Sequence, residues 1–258
     1  MPKEQTVLVT FGCSWTAGVG VGYVDGMIDK EYRSIAWDDN INNEYSFRGI
    51  LSKKYNMKNI NFSKGGSSNQ MQFRLLKNFL CSGQFKYLVD NHKVIVLHGI
   101  TSTARNELYI NDKESLINFK YDELAYSEWA NIFVKHFYNH DNEVNRLTED
   151  MLLFNQFYSL AGIDNLWFDT FNHHNYSNSI SNLIEPNSAN RDLLSTMALS
   201  KGFTKHDNSY HLSSWKVDSD RVKFLIEKGC LNPISKHPTK IGHEMIADII
   251  DKELERII

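Results

Sequence analysis

Residues 6–14 read Thr-Val-Leu-Val-Thr-Phe-Gly-Cys-Ser, and this stretch decides the fold. Thr6–Phe11 is apolar and β-branched, and it stops at Gly12. A short apolar run that ends at a turn residue is the pattern of a strand covered on both faces, as in a parallel sheet. The pattern returns along the chain. Asn59–Phe62 (NINF) runs into the polar, glycine-rich turn Ser63–Asn69. Lys93–Leu97 (KVIVL) is the clearest strand and is expected to end in a His98-Gly99 turn. Asn165–Phe168 (NLWF) ends at Asp169.

Helical spacing fills the intervals. Ser46–Tyr55 gathers Phe47, Ile50, Leu51 and Tyr55 on one face, and Gln70–Leu80 is strongly amphipathic. Tyr126–Leu160 is long, aromatic and mostly helical in pattern. Ile241–Ile258 is expected to bury a stripe of Ile241, Met245, Ile249 and Leu254. Residues 172–220 have no firm period, apart from a helix expected near Asn190–Leu199. Buried strands alternating with amphipathic helices predict an α/β fold: a three-layer α/β/α arrangement around a central, mostly parallel sheet. The reading is one domain over residues 1–258, with a helical and loop insertion at 110–160 and an irregular region at 172–232.

Composition narrows the functions. With 28 Lys and Arg against 31 Asp and Glu, no basic stripe points to nucleic acid. No apolar run approaches the ~20 residues of a membrane span, and the N-terminus lacks the apolar core of a signal peptide. The 3 cysteines (Cys13, Cys81, Cys230) form no disulfide framework, which suits a reducing, cytoplasmic setting. His173, His174, His206 and His211 lack the spacing of a zinc site, so no metal and no organic cofactor is expected. Oligomeric state is not readable.

In open parallel sheets, ligands bind beyond the carboxyl ends of the strands. Three turns would meet there: FGCSWTAG (11–18), SKGGSSN (63–69) and HGITSTAR (98–105). Ser14 follows a glycine at a strand end. It reads either as an ordinary helix cap or as a hydroxyl beside unpaired backbone N–H groups that would stabilise an oxyanion. Gly66 lets backbone approach a ligand. Thr101 or Ser102 offers a side-chain donor, while Arg105 and Glu107 either bind a polar substrate or pair with each other. His237 lies in a loop, stiffened by Pro238 directly before the last helix.

In this order the four segments resemble the SGNH/GDSL hydrolase family, whose fold is flavodoxin-like. Gly12-Cys13-Ser14 is similar to the motif that carries the nucleophile, with Cys13 in place of the acid. Gly66 is similar to the glycine of the second motif, and His237 to the histidine of the last. FGCSWTAG with HPTKIGHEMIA looks like members found in bacteriophage genomes. The resemblance implies a serine esterase with Ser14 as nucleophile, His237 as base, and an oxyanion hole from Ser14, Gly66 and Thr101. Trp15, Asn69 and Arg105 are expected at the substrate, a small-molecule or carbohydrate ester.

Two positions depart from the family pattern. Thr101 stands where an asparagine donor is expected, and Ile234 stands three residues before His237 where an aspartate is expected. Three arrangements stay open: a backbone carbonyl on the second imidazole nitrogen, Asp169 from a strand end, or Asp207 from the irregular region. Three functions also stay open: an ester hydrolase such as a carbohydrate O-acetylesterase, an acyltransferase using the same serine, and a non-catalytic binding or structural module on the same fold.

Overall fold

The computed structural model describes residues 4–103, 105–109, 116–120, 136, 138–171, 174, 176, 180, 182–184, 192–203 and 220–258, less the side chains of Glu4, Asn106, Leu108, Tyr109 and 116–120. Asp207, His173, His206, His211, Trp129 and Trp215 lie outside the described residues, as does part of the expected insertion.

Four parallel strands form the central sheet: β1 (Glu4–Phe11), β2 (Lys58–Asn61), β3 (His92–Ile100) and β6 (Asp164–Asp169), in the order β2-β1-β3-β6. A separate antiparallel pair joins β4 (Arg105–Tyr109) to β5 (Leu116–Lys120). The strands alternate strictly between two cores. Leu8, Ile95, Leu97, Leu166 and Phe168 face one layer, while Val7, Val9, Phe11, Val94, Val96 and Trp167 face the other. The first layer is built from α4 (Phe47–Lys54), α8 (Leu193–Ser200), α9 (Asp220–Glu227) and α10 (Lys240–Leu254). The second comes from α5 (Asn69–Leu80), α6 (Gly83–Asn91) and α7 (His140–Ala161). Both faces are covered, so both sets of side chains are apolar, and a period of two was invisible in the sequence. The fold is the three-layer α/β/α arrangement with a parallel central sheet.

Three details differ from expectation. β3 does not turn at His98-Gly99 but pairs with β6 as far as Ile100–Asp169. His98 stacks between Phe11 (centroids 5.3 Å) and Trp167 (4.0 Å), and its Nε2 meets the Tyr158 hydroxyl at 2.8 Å. Gly99 continues the strand because a neighbouring helix presses on it, as described below. Second, α10 buries Gly242, His243, Ile246, Ala247, Ile250 and Leu254, whereas Ile241 is 47% exposed. The buried face is rotated from the expected stripe because small residues let this helix approach the core closely. Third, α7, within the expected insertion, places Leu147, Met151, Phe154 and Tyr158 in the second core.

The core holds three neutral histidines. Burial pushes His98 and His243 down to about 3 and His174 down to about 4. Each is neutral in the fold but titrates near ~6.5 when unfolded. Their stabilisation is present above that value and is lost as pH falls toward the folded values. Buried Asp192 works oppositely: burial raises it from 3.8 to about 6, so its contribution is lost as pH rises through that interval. Three groups oppose one, so stability is expected to drop as pH falls from 6.5 to 4. The variant His98→Phe removes about one proton from the slope. Thermal unfolding across this range, with an unchanged slope in the variant, would refute the assignment of His98.

Candidate active site at the carboxyl edge of the sheet

The chain passes from β1 to β2 on one side, then crosses over β1 to β3. The carboxyl ends of β1 and β3 therefore flank the point where the strand order reverses, where a crevice forms in such sheets. Directly after β1, Ser14–Ala17 forms the short helix α1, with Cys13 and not Ser14 at its cap position. This helix sits tightly on the sheet edge. A Cβ on Gly12 would lie 2.1 Å from Thr16 Oγ1, and one on Gly99 would lie 2.3 Å from the same atom. Glycine is needed at both places because Thr16 fills the notch between β1 and β3. Buried Arg48, on α4, closes the other end of α1 by donating to Ala17 O at 3.0 Å.

Ser14 Oγ lies 2.7 Å from His237 Nε2, a contact between residues 223 positions apart. The loop 230–239 carries the histidine, and Asn232 ties it together. The Asn232 N–H and side-chain Nδ2 both donate to His237 O, at 2.9 and 3.0 Å. The Ser235 N–H donates to Asn232 Oδ1 at 2.7 Å. Thr239 then caps α10 by accepting from Gly242 N, so the helix starts at Lys240 and Pro238 precedes its cap. On the far side of the imidazole, Nδ1 lies 2.8 Å from Ser235 Oγ, which is 2.6 Å from the Tyr32 hydroxyl. Tyr32 belongs to α2 (Asp29–Ile35). Ile234 packs against the small cluster of Ala17, Val19, Tyr32 and Ala36.

The glycine turn lies beside this pair. Lys64 N and Ser67 Oγ both donate to Gly12 O, at 3.1 and 2.9 Å, and Ser68 caps α5. Gly66 has φ +71 and open space where a Cβ would stand. Among the described residues neither the Ser14 N–H nor the Gly66 N–H enters a backbone hydrogen bond. Trp37 Cη2 would lie 2.3 Å from a Cβ on Gly65, and the indole is 56% exposed. The sequence offered no signal for Trp37, Tyr32, Asn232 or Ser235, because ordinary residues acquire these positions only through loop packing.

Other expected residues lie elsewhere. Trp15 is 1% exposed and meets Phe171 edge-on at 4.9 Å. One helical step turns it away from Ser14 and into the core, so it presents no face to a substrate. Thr101 Oγ1 is buried and has no hydrogen-bond partner among the described residues. Asn69 clips the Thr101 main chain at both atoms, donating to its O and accepting from its N at 2.9 Å each. Asp169 accepts from Tyr176 OH at 2.6 Å and from His174 N at 3.0 Å, and His174 Nε2 reaches Thr101 O at 3.2 Å. Its carboxylate thus braces the end of β3, while the imidazole of His237 meets Ser235. Arg105 and Glu107 do not pair: Glu107 binds Arg74 bidentately, at 2.7 and 3.1 Å. Arg105 lies 5.3 Å over the Phe171 ring, with a long 3.5 Å contact to Ser67 O. It lines a cavity of about 30 Å³ with Asn69, Gln70 and Thr103. Among the described residues no cluster of His, Cys, Asp and Glu is arranged to hold a metal, and no helix is long and apolar enough to cross a membrane.

No protein-family model and no curated protein matches the chain. Among solved structures it is similar to a carbohydrate esterase whose active site is described as having divergent catalytic and non-catalytic binding functions. The identity is 11% and the TM-score 0.46, over 99% of this chain and 66% of the other. The chain thus spans just under two thirds of that structure's length.

Gly20 holds the histidine loop against α1. Its φ is +105, and a Cβ there would meet Pro238 O at 2.5 Å and His237 Cβ at 2.6 Å. Gly20→Ala is expected to destabilise the protein by about 2 kcal/mol through backbone strain and to displace His237 from Ser14. Urea unfolding and a crystal structure of the variant check this; wild-type stability with the 2.7 Å contact intact would refute it.

Proposed function

We propose that the chain is a serine carboxylic-ester hydrolase of the SGNH/GDSL type, acting on O-acylated carbohydrate. The observation that supports this reading is the 2.7 Å contact from Ser14 Oγ to His237 Nε2 at the sheet edge, beside backbone N–H groups open to a ligand. The pair is within reach for general-base catalysis. His237 Nε2 takes the Ser14 proton as Oγ attacks the ester carbonyl. The N–H groups of Ser14 and Gly66 stabilise the oxyanion. Collapse of the tetrahedral intermediate breaks the C–O bond, and the imidazolium returns its proton to the leaving alcohol. Water, deprotonated by the same imidazole, then attacks the acyl-enzyme. Its collapse releases the carboxylic acid and restores the Ser14 hydroxyl.

The carbohydrate assignment draws on Trp37. An exposed indole packed along the glycine turn offers the flat apolar surface on which a sugar ring can stack.

Purified protein is expected to hydrolyse p-nitrophenyl acetate and to be labelled at Ser14 by a fluorophosphonate. Ser14→Ala and His237→Ala should each lower kcat by about 10³-fold or more. An unlabelled, inactive wild type would sink the hydrolase reading and favour a binding module; products that depend on an added alcohol would favour transfer. Trp37→Ala is expected to raise KM for an acetylated oligosaccharide by about 3- to 10-fold, the worth of one aromatic contact, while leaving p-nitrophenyl acetate unaffected. Equal effects on both substrates would remove Trp37 from the sugar site.

A further inference from the structure

The second nitrogen of the His237 imidazole meets a hydroxyl, and an amide of fixed orientation stands behind that hydroxyl. Asn232 is the fixed point. Its side chain faces the Ser235 N–H (2.7 Å), which can only donate, and His237 O (3.0 Å), which can only accept. The atom toward Ser235 must therefore be Oδ1 and the other Nδ2; a flipped amide would put donor against donor and acceptor against acceptor. Oδ1 can only accept, and it lies 3.1 Å from Ser235 Oγ. A Ser235 proton directed at this oxygen completes its hydrogen bonding. The Ser235 lone pairs are then turned toward the Tyr32 hydroxyl at 2.6 Å and His237 Nδ1 at 2.8 Å. In this arrangement Nδ1 carries the proton of a neutral imidazole, and Nε2 is bare toward Ser14. Asn232 is fully buried and Tyr32 nearly so, which shields this polarity from solvent.

We propose that Ser235, oriented by Asn232 and Tyr32, is the positioning group that sets the His237 tautomer and accepts from the imidazolium formed during turnover. This rests on the reading of Ser14 as nucleophile and His237 as base. Ser235 does not change protonation: its proton stays on Oγ, directed at Asn232 Oδ1, while the Ser14 proton moves to Nε2 and back. A hydroxyl carries no charge, so it stabilises the imidazolium less than a carboxylate would, and it costs no desolvation of an ion.

The test pairs kinetics with nitrogen-15 NMR of labelled histidine, His237→Gln identifying the signals of His237. Wild type is expected to show the Nδ1-protonated neutral tautomer. Ser235→Ala should lose that preference and lower kcat for p-nitrophenyl acetate about 10- to 100-fold at unchanged KM. Ser235→Thr, which keeps the hydroxyl, should restore both to near wild type. A purely structural role would instead lower the unfolding temperature and leave the tautomer and kcat of the folded fraction unchanged, which would overturn the proposal. So would a wild-type His237 protonated at Nε2. If wild type turns over no ester, the hydrolase reading fails by itself, and the tautomer in wild type and Ser235→Ala still decides the role of Ser235.

Discussion

Parallel pairing of β1 with β3, with β2 on the opposite flank, is the constraint from which the rest of the molecule follows. Two parallel strands cannot be joined by a tight turn, so the chain must cross over the sheet, and helices come to cover both faces. Val7–Phe11 and Val94–His98 run side by side in register, and β3 continues two residues beyond the end of β1, to Ile100. Residues just past those ends share one edge. The sheet order makes this edge the place where successive connections leave in opposite directions and open a crevice between them.

Close approach does the remaining assembly. Thr16 occupies the notch above Gly12 and Gly99, and Gly20 lies against His237 and Pro238. Each contact brings backbone or a short side chain where a Cβ would collide. Together they press α1 between the sheet edge and the histidine loop. The hydroxyl of Ser14 can therefore reach an imidazole from the opposite end of the chain without any covalent link. Buried Arg48, held to Ala17 O from α4, fixes the same short helix from behind.

The histidine loop sets the Ser235 hydroxyl, and behind it the Asn232 amide, against the imidazole. Asn232 satisfies backbone donors and acceptors on both sides of the loop, which fixes its own orientation and that of Ser235. Ile234, at the position where the resembled family carries its acid, packs into the apolar cluster of Ala17, Val19, Tyr32 and Ala36. That packing brings α2, and with it the Tyr32 hydroxyl, up to Ser235. Asp169 accepts from the His174 N–H and the Tyr176 hydroxyl behind β3.

The α/β layering was legible in the chain because buried parallel strands need continuous apolar runs and their crossovers need amphipathic helices. TVLVTF, NINF, KVIVL and NLWF all became strands of the one sheet. Ser14 and His237 were singled out by their settings, a glycine at a strand end and a proline before a helix, and both settings are local. What surrounds them was not local. The direction of Trp15 depended on the helical step after Ser14, the continuation of β3 on the stacking of His98 between Phe11 and Trp167, and the partners of Glu107 on a helix thirty-three residues away. The group at His237 Nδ1 depended on how Asn232 folds its loop. Sequence by itself determined which segments are strands and helices, because periodicity and turn chemistry are written residue by residue, while the pairing of Ser14 with His237 was implied by the resemblance of their motifs to a known family. Only the tertiary structure decided which hydroxyls, amides and carboxylates face that pair, because hydrogen-bond direction and close packing exist only once distant segments meet.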